Sequence, residues 1–239
     1  MKIDVTFTPA DFQSSLFKEK ICVVIDVLRA SSSIATALVS GARWIHPVST
    51  PEEAFQYRES VTGPVLLCGE RDGRIIPGFD LGNSPEEYAN TRGYGLIFCS
   101  TNGSKLLIKA VSCKKVLVGG FINATAVVNM LNTLHSDCVF SCAGREGVFS
   151  LEDAVCAGLL VRRVRQSAAG PVELSDSAIA AEKIYGYYAD DPEGMLRTSF
   201  HGRYLISLGF AADLVYCARE TIGIVPVFMK NKIKKGKSP

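Results

Sequence analysis

Short apolar stretches of strand character alternate with longer helical stretches through the first two-thirds of the chain. That alternation constrains the fold more than any other feature. Residues 2–8, 21–27, 44–48, 65–68, 96–99, 115–118 and 138–142 are short and rich in β-branched or aliphatic side chains. Several lack polar alternation, as strands covered on both faces do. Helical patterns fall between them at 32–40, 51–60, 85–90, 104–111, 124–134 and 151–165. Three of these open on a hydroxyl followed three residues later by an acid: Thr50 with Glu53, Ser84 with Glu87, and Ser150 with Asp153. Such a hydroxyl satisfies a free N–H of the first turn. Pro51 and Pro85 occupy the first helical position, where a missing N–H costs nothing. Repeated strand–helix–strand units require crossovers, so the chain is expected to be α/β: three layers, α/β/α, around a largely parallel or mixed central sheet. From residue 175 the pattern turns helical (175–188 and 192–208), and a last strand-like run covers 223–228.

A sheet of this kind can absorb 239 residues in one domain. The expected division is a single domain over 1–229 and a lysine-rich tail over 230–239, solvated and without fixed structure. The tail holds five of the 26 Lys+Arg and no acid, so the body carries 21 basic against 24 acidic residues, a net −3. That mixed charge argues against nucleic acid as a partner, and a hydrophobic share of 47% excludes disorder. No apolar run approaches the ~20 residues of a membrane span. The N-terminal MKIDVTFTP has no apolar segment of the secretory type. A cytoplasmic protein is expected, with its eight cysteines reduced and buried, since no CxxC pair and only three histidines are present.

In α/β sheets ligands bind beyond the carboxyl ends of strands, where loops enter helices. The polar segments of this chain fall there. Asp26, in an otherwise apolar run, is followed by Arg29, Ser31, Ser32 and Ser33 at a helix start, a set able to hold a metal and an anion together. Residues 69–85 form a long loop rich in glycine, with Glu70, Arg71, Asp80, Asn83 and Ser84 as polar candidates. Ser100 to Ser104 offers hydroxyls and N–H groups to an anion but lacks the spacing of a nucleotide phosphate loop, which counts against a nucleotide-dependent transferase. Arg145 follows Cys142 as an anion clamp. A cysteine phosphatase needs Arg six positions after its Cys, where Cys142 has Val148 and Cys99 has Lys105. Glu152 and Asp153 read equally as capping acids or metal ligands. His201, beside Arg203, reads as an anion contact or as a core or surface histidine. Asp213, Arg219 and Glu220 mark a late polar stretch.

The segments IDVLRASSSIATAL, GERDGRIIPGFDLGNSP, STNGS, NATA at 123–126, CAGREGVFSLEDAVCAG and the late LGFAADLVYCARE…VPVF occur in the order found in the 2-phosphosulfolactate phosphatase family, which the chain resembles from about residue 3 to 228. STNGS stands where the family usually shows TTNGT. The resemblance implies a Mg²⁺-dependent hydrolase converting 2-phospho-3-sulfolactate, or a related phosphorylated hydroxy acid, to sulfolactate and phosphate, a step toward coenzyme M. On that reading Asp26, Arg29, Arg71 and Arg145 are the expected catalytic residues. Ser31, Asn83, Thr101, Asn102 and Gly103 are the expected substrate contacts. Mg²⁺ is expected on Asp26 with one or more of Glu70, Asp80 and Asp153. The attacking group stays open between a water and an aspartate, since no DxD pattern surrounds Asp26. The alternative is an α/β protein that binds phosphate or sulfonate without turnover. The expected partner is a small anionic phosphate ester, with neither nucleic acid nor membrane, and a homodimer is compatible with the sequence.

Overall fold

The computed structural model describes residues 1–236. In chain order the first half runs β1 (Lys2–Thr6), α1 (Ser14–Phe17), β2 (Ile21–Ile25), α2 (Ala30–Val39), β3 (Trp44–Pro47), α3 (Pro51–Ser60), β4 (Val65–Arg71), β5 (Arg74–Ile75), β6 (Gly95–Cys99), α4 (Gly103–Lys109) and β7 (Lys115–Gly119). It continues with α5 (Ala124–Leu134), β8 (Cys138–Cys142), α6 (Leu151–Ser167), β9 (Glu173–Leu174), α7 (Asp176–Tyr188), α8 (Pro192–Thr198), α9 (Phe200–Ser207), α10 (Ala211–Ala218), β10 (Pro226–Met229) and β11 (Lys232–Lys235). The expected α/β class holds, and the sheet is mixed.

Among the described residues one sheet carries eleven strands in the order β5-β4-β6-β3-β11-β10-β7-β2-β8-β1-β9. It contains two parallel blocks, β4-β6-β3 and β7-β2-β8-β1-β9. The antiparallel hairpin β10–β11 sits between them, paired with β7 on one side and β3 on the other. Traced along the sheet, the two blocks therefore run in opposite senses. Neighbouring strands twist by ~20–25°. Over the five steps from β2 to β6 that twist works against the reversal. The carboxyl ends of the two blocks converge in space as a result. This convergence builds the site.

Helix α2 packs against β7, β10 and β11 of the sheet, and Ala30 through Leu38 are all buried. A helix enclosed on every side needs small or apolar residues all round. Two of its hydroxyls meet the burial cost by bonding backbone: Ser33 Oγ donates to the carbonyls of Arg29 and Asn83, and Thr36 Oγ1 to that of Ser32. With α4 and the 3₁₀ turn Pro85–Asn90, it covers one face through Ile34, Leu38, Leu106, Leu107 and Tyr88. The opposite face of β1, β2, β7 and β8 is covered by α5, α6 and α7. Close approach of α6 and α7 depends on Gly158, where a Cβ would stand 2.0 Å from the carbonyl oxygen of Ala181.

Three expectations are corrected here. The tail is not free through residue 236: Lys232–Lys235 form β11, with Ile233 fully buried opposite Ile45. Residues 237–239 lie outside the described part. The single helix expected over 192–208 is two, because Ser199 leaves the helical path and its Oγ accepts from Gly202 N to start α9. The polar stretch around Asp213 belongs to α10. All eight cysteines are free and buried. No helix among the described residues is long and apolar enough to cross a membrane.

Candidate active site

The β2–α2 turn supplies the first carboxylate. Asp26 follows the last residue of β2, where the backbone turns sharply enough for its carbonyl to accept from Ser31 N and its N–H to donate to Ser31 Oγ. Its Oδ1 accepts from Ala30 N at 3.3 Å. From the other block, Gly103 opens α4 directly against Asp26: a Cβ there would stand 2.7 Å from Oδ2. Only glycine lets the two turns meet.

The second carboxylate, Glu70, comes from β4. Its Oε1 accepts from Thr101 N at 2.8 Å and its Oε2 from Gly73 N at 3.0 Å, so it ties the β4–β5 turn to the β6–α4 turn. Burial and then the Glu70 charge push the Asp26 carboxyl up from 3.8 to about 7. Two buried acids thus face one cleft, lined also by Arg29, Asp72, Asn83, Thr101, Asn102, Arg145, Glu146, His201 and Tyr204.

Arg29 is in this cleft but already engaged. It donates from Nη1 to Asp213 Oδ2 at 2.6 Å and from Nη2 to the Gly73 carbonyl at 2.7 Å, and it stacks on Phe210. Asp213 Oδ1 in turn accepts from Ser84 Oγ at 2.6 Å. This network, buried at Arg29 and Asp213 and half-buried at Ser84, joins α2, the β4–β5 turn, the loop before Pro85 and α10. Arg145, a quarter exposed, has a weaker tie, 3.5 Å to Glu146, and stacks on Phe200. Its guanidinium remains available to an anion. The amide oxygen of Asn83 and the hydroxyl of Thr101 are buried and have no partner among the described residues, which is the condition of groups awaiting a ligand.

The remaining expected residues fall elsewhere. Asp153 is buried behind Asp26, with Oδ1 accepting from Val27 N and Oδ2 from Gly144 N. It holds the Asp26 turn to the Arg145 turn and does not line the cleft. Burial and the Asp26 charge push its carboxyl up. Asp80 accepts from Leu67 N at 2.7 Å and faces Arg58, pinning its loop to β4 away from Asp26. Arg71 turns to the Ser49 carbonyl and Cys99 Sγ. Ser31 and Gly103 shape the Asp26 turn from behind, and Asn102 uses Oδ1 to accept from Glu146 N. Burial pushes the thiols of Cys99 and Cys142 up, against thiolate chemistry. Tyr204 and Asp72 escaped the sequence reading. The i,i+3 spacing of Tyr204 from His201 on one helix face was the signal for the former.

A family model described as 2-phosphosulpholactate phosphatase matches residues 6–231. The chain belongs to that family. Relatives named "Probable 2-phosphosulfolactate phosphatase" include a protein of Carboxydothermus hydrogenoformans, 44% identical over 95% of this chain and 92% of its own. One from Symbiobacterium thermophilum is 39% identical over 90% of this chain and 93% of its own. Another, from Clostridium novyi, is 35% identical over 98% of this chain and all of its own. Membership in the 2-phosphosulpholactate phosphatase family makes the chain a phosphoric monoester hydrolase. The matched span contains every residue of the cleft.

Proposed function

We propose that the chain is a Mg²⁺-dependent phosphatase acting on 2-phospho-3-sulfolactate or a related phosphorylated hydroxy acid at the Asp26–Glu70 cleft. The observation that carries this reading is the charge of the cleft. Asp26, Glu70, Asp72 and Glu146 line it against two guanidinium groups, of which Arg29 is neutralised by Asp213. A multiply anionic ester has little reason to enter such a cleft unless a cation joins it.

The donors suit Mg²⁺. Among the described residues no group of three or more His, Cys, Asp or Glu could hold a metal ion. Mg²⁺ does not need one, since it binds through one or two carboxylates and keeps waters or substrate phosphate oxygens for the rest. Asp26 and Glu70 would hold it, and the orphaned oxygens of Asn83 and Thr101 stand beside them. When bound, the ion offsets charge on the phosphoryl oxygens. The residues do the remainder. Arg145 stabilises the transferring group from the opposite wall. Thr101 and Asn83 orient the ester, and Asp153 keeps the Asp26 and Arg145 turns in register. Family membership does not favour binding without turnover.

The test is phosphate release from 2-phospho-3-sulfolactate, phospholactate and an aryl phosphate, with Mg²⁺ and with EDTA. Mg²⁺-dependent turnover, fastest on the phosphorylated acids, is expected. Tight binding with no turnover of any ester would overturn the proposal.

A further inference from the structure

The polar side chains around the cleft divide by whether they are already engaged. Arg29, Tyr204 and Asn102 spend their groups on the walls: Tyr204 donates its OH to the Asp72 carbonyl at 3.0 Å, and the other two bond as described. His201 differs. Neither ring nitrogen has a hydrogen-bond partner among the described residues, and the ring meets Tyr204 only edge-on, centroids 6.4 Å apart. Yet the helix that carries it is held at three places. Ser199 caps α9, Tyr204 fastens it to the β4–β5 turn, and Phe200 stacks on Arg145 at 4.2 Å. An imidazole aimed into a cleft by a fixed helix, with both nitrogens idle, is preorganised for something that enters.

Its chemical state narrows what that is. Burial pushes His201 down to about 4, with Arg29 and Arg145 adding to the effect and only Glu70 opposing it. At neutral pH the ring offers one N–H donor and one lone pair, and no charge. The phosphoryl group already has the Arg145 guanidinium and the Thr101 hydroxyl. What lacks a donor is the acid group that stays on the product.

We propose that His201 is a specificity-determining residue, donating its N–H to the non-transferring acid group of the substrate, carboxylate or sulfonate. This rests on the phosphatase reading above. A site built around a neutral donor gains less from an ester without the matching acceptor, because the hydrogen bond to the acid group is then missing.

The experiment measures kcat and KM with Mg²⁺ on 2-phospho-3-sulfolactate, phospholactate and p-nitrophenyl phosphate. The proteins are wild type, His201→Ala and His201→Gln, with circular dichroism of each as a check on folding. His201→Ala is expected to lower the preference for the acid-bearing esters over the aryl phosphate by roughly 10–100-fold, mostly through KM. His201→Gln, which keeps an N–H donor, should retain the larger part of that preference. Loss on both acid esters identifies the carboxylate as the recognised group; loss on 2-phospho-3-sulfolactate alone identifies the sulfonate. Equal loss on all three esters, a fall in kcat alone, or an unchanged preference overturns the proposal. Wild-type protein idle on every ester would instead sink the phosphatase reading, and this assignment with it.

Discussion

Asp26 ends a run of five fully buried strand residues, Ile21 to Ile25, and its carboxyl is held up at about 7 by burial and by Glu70. The sign of the resulting pH effect follows. Between roughly pH 4 and 7 the group is protonated in the folded protein and ionised in the unfolded chain. Its contribution to stability is complete below pH 4 and is lost as pH rises through 7. Asp26→Asn should therefore make the metal-free protein more stable than wild type at pH 8, with a smaller gain at pH 5, as read from urea unfolding in EDTA. A gain larger at pH 5 would contradict this. Asp26, Arg145, Asn83 and Thr101 were legible in sequence because polar groups after apolar strands need a purpose. The fates of Arg29 and Arg71 were not. Nothing local distinguishes a guanidinium paired across 184 positions from one left free.

At the scale of elements, α9 lines the cleft and α10 braces the Arg29 that lines it. The Arg29–Asp213 pair fastens α10 to α2, with both side chains under 5% exposed. Removing one partner strands the other charge, so Asp213→Ala should cost about 3–5 kcal/mol in urea unfolding. A change under 1 kcal/mol would show the pair to be unimportant. Gly103 makes a separate prediction. Gly103→Ala places a methyl against the Asp26 carboxylate, so phosphate release should fall by more than about tenfold while the fold persists by circular dichroism. Unaltered turnover would mean that Asp26 can move without consequence. The helices that carry Asp213 and His201 were only partly legible. The sequence pattern runs through Ser199 as one helix, and Asp213 reads only as the flank of a polar stretch over 218–221, because the arginine that buries it lies 184 positions away.

For the whole molecule, alternation along the chain revealed strands, helices and their class, but not the reversal between the two parallel blocks. That reversal depends on β10–β11, and β11 is hidden in a lysine-rich segment. Its one apolar side chain, Ile233, is fully buried, while Lys232 lies over Trp44 at 4.2 Å. The period-two signal is a single residue long, and the charge composition outweighs it. Ile233→Ala should lower unfolding free energy by about 2–4 kcal/mol, whereas a free tail would leave it unaltered. Without that strand the carboxyl ends of β2 and β6 would lose the sheet that aligns them. The claim that their meeting point is the phosphatase site is tested most directly by the rate of phosphate release from 2-phospho-3-sulfolactate in saturating Mg²⁺, wild type against Asp26→Asn. A loss of about 10²-fold or more is expected; near-wild-type turnover by the variant would contradict the assignment.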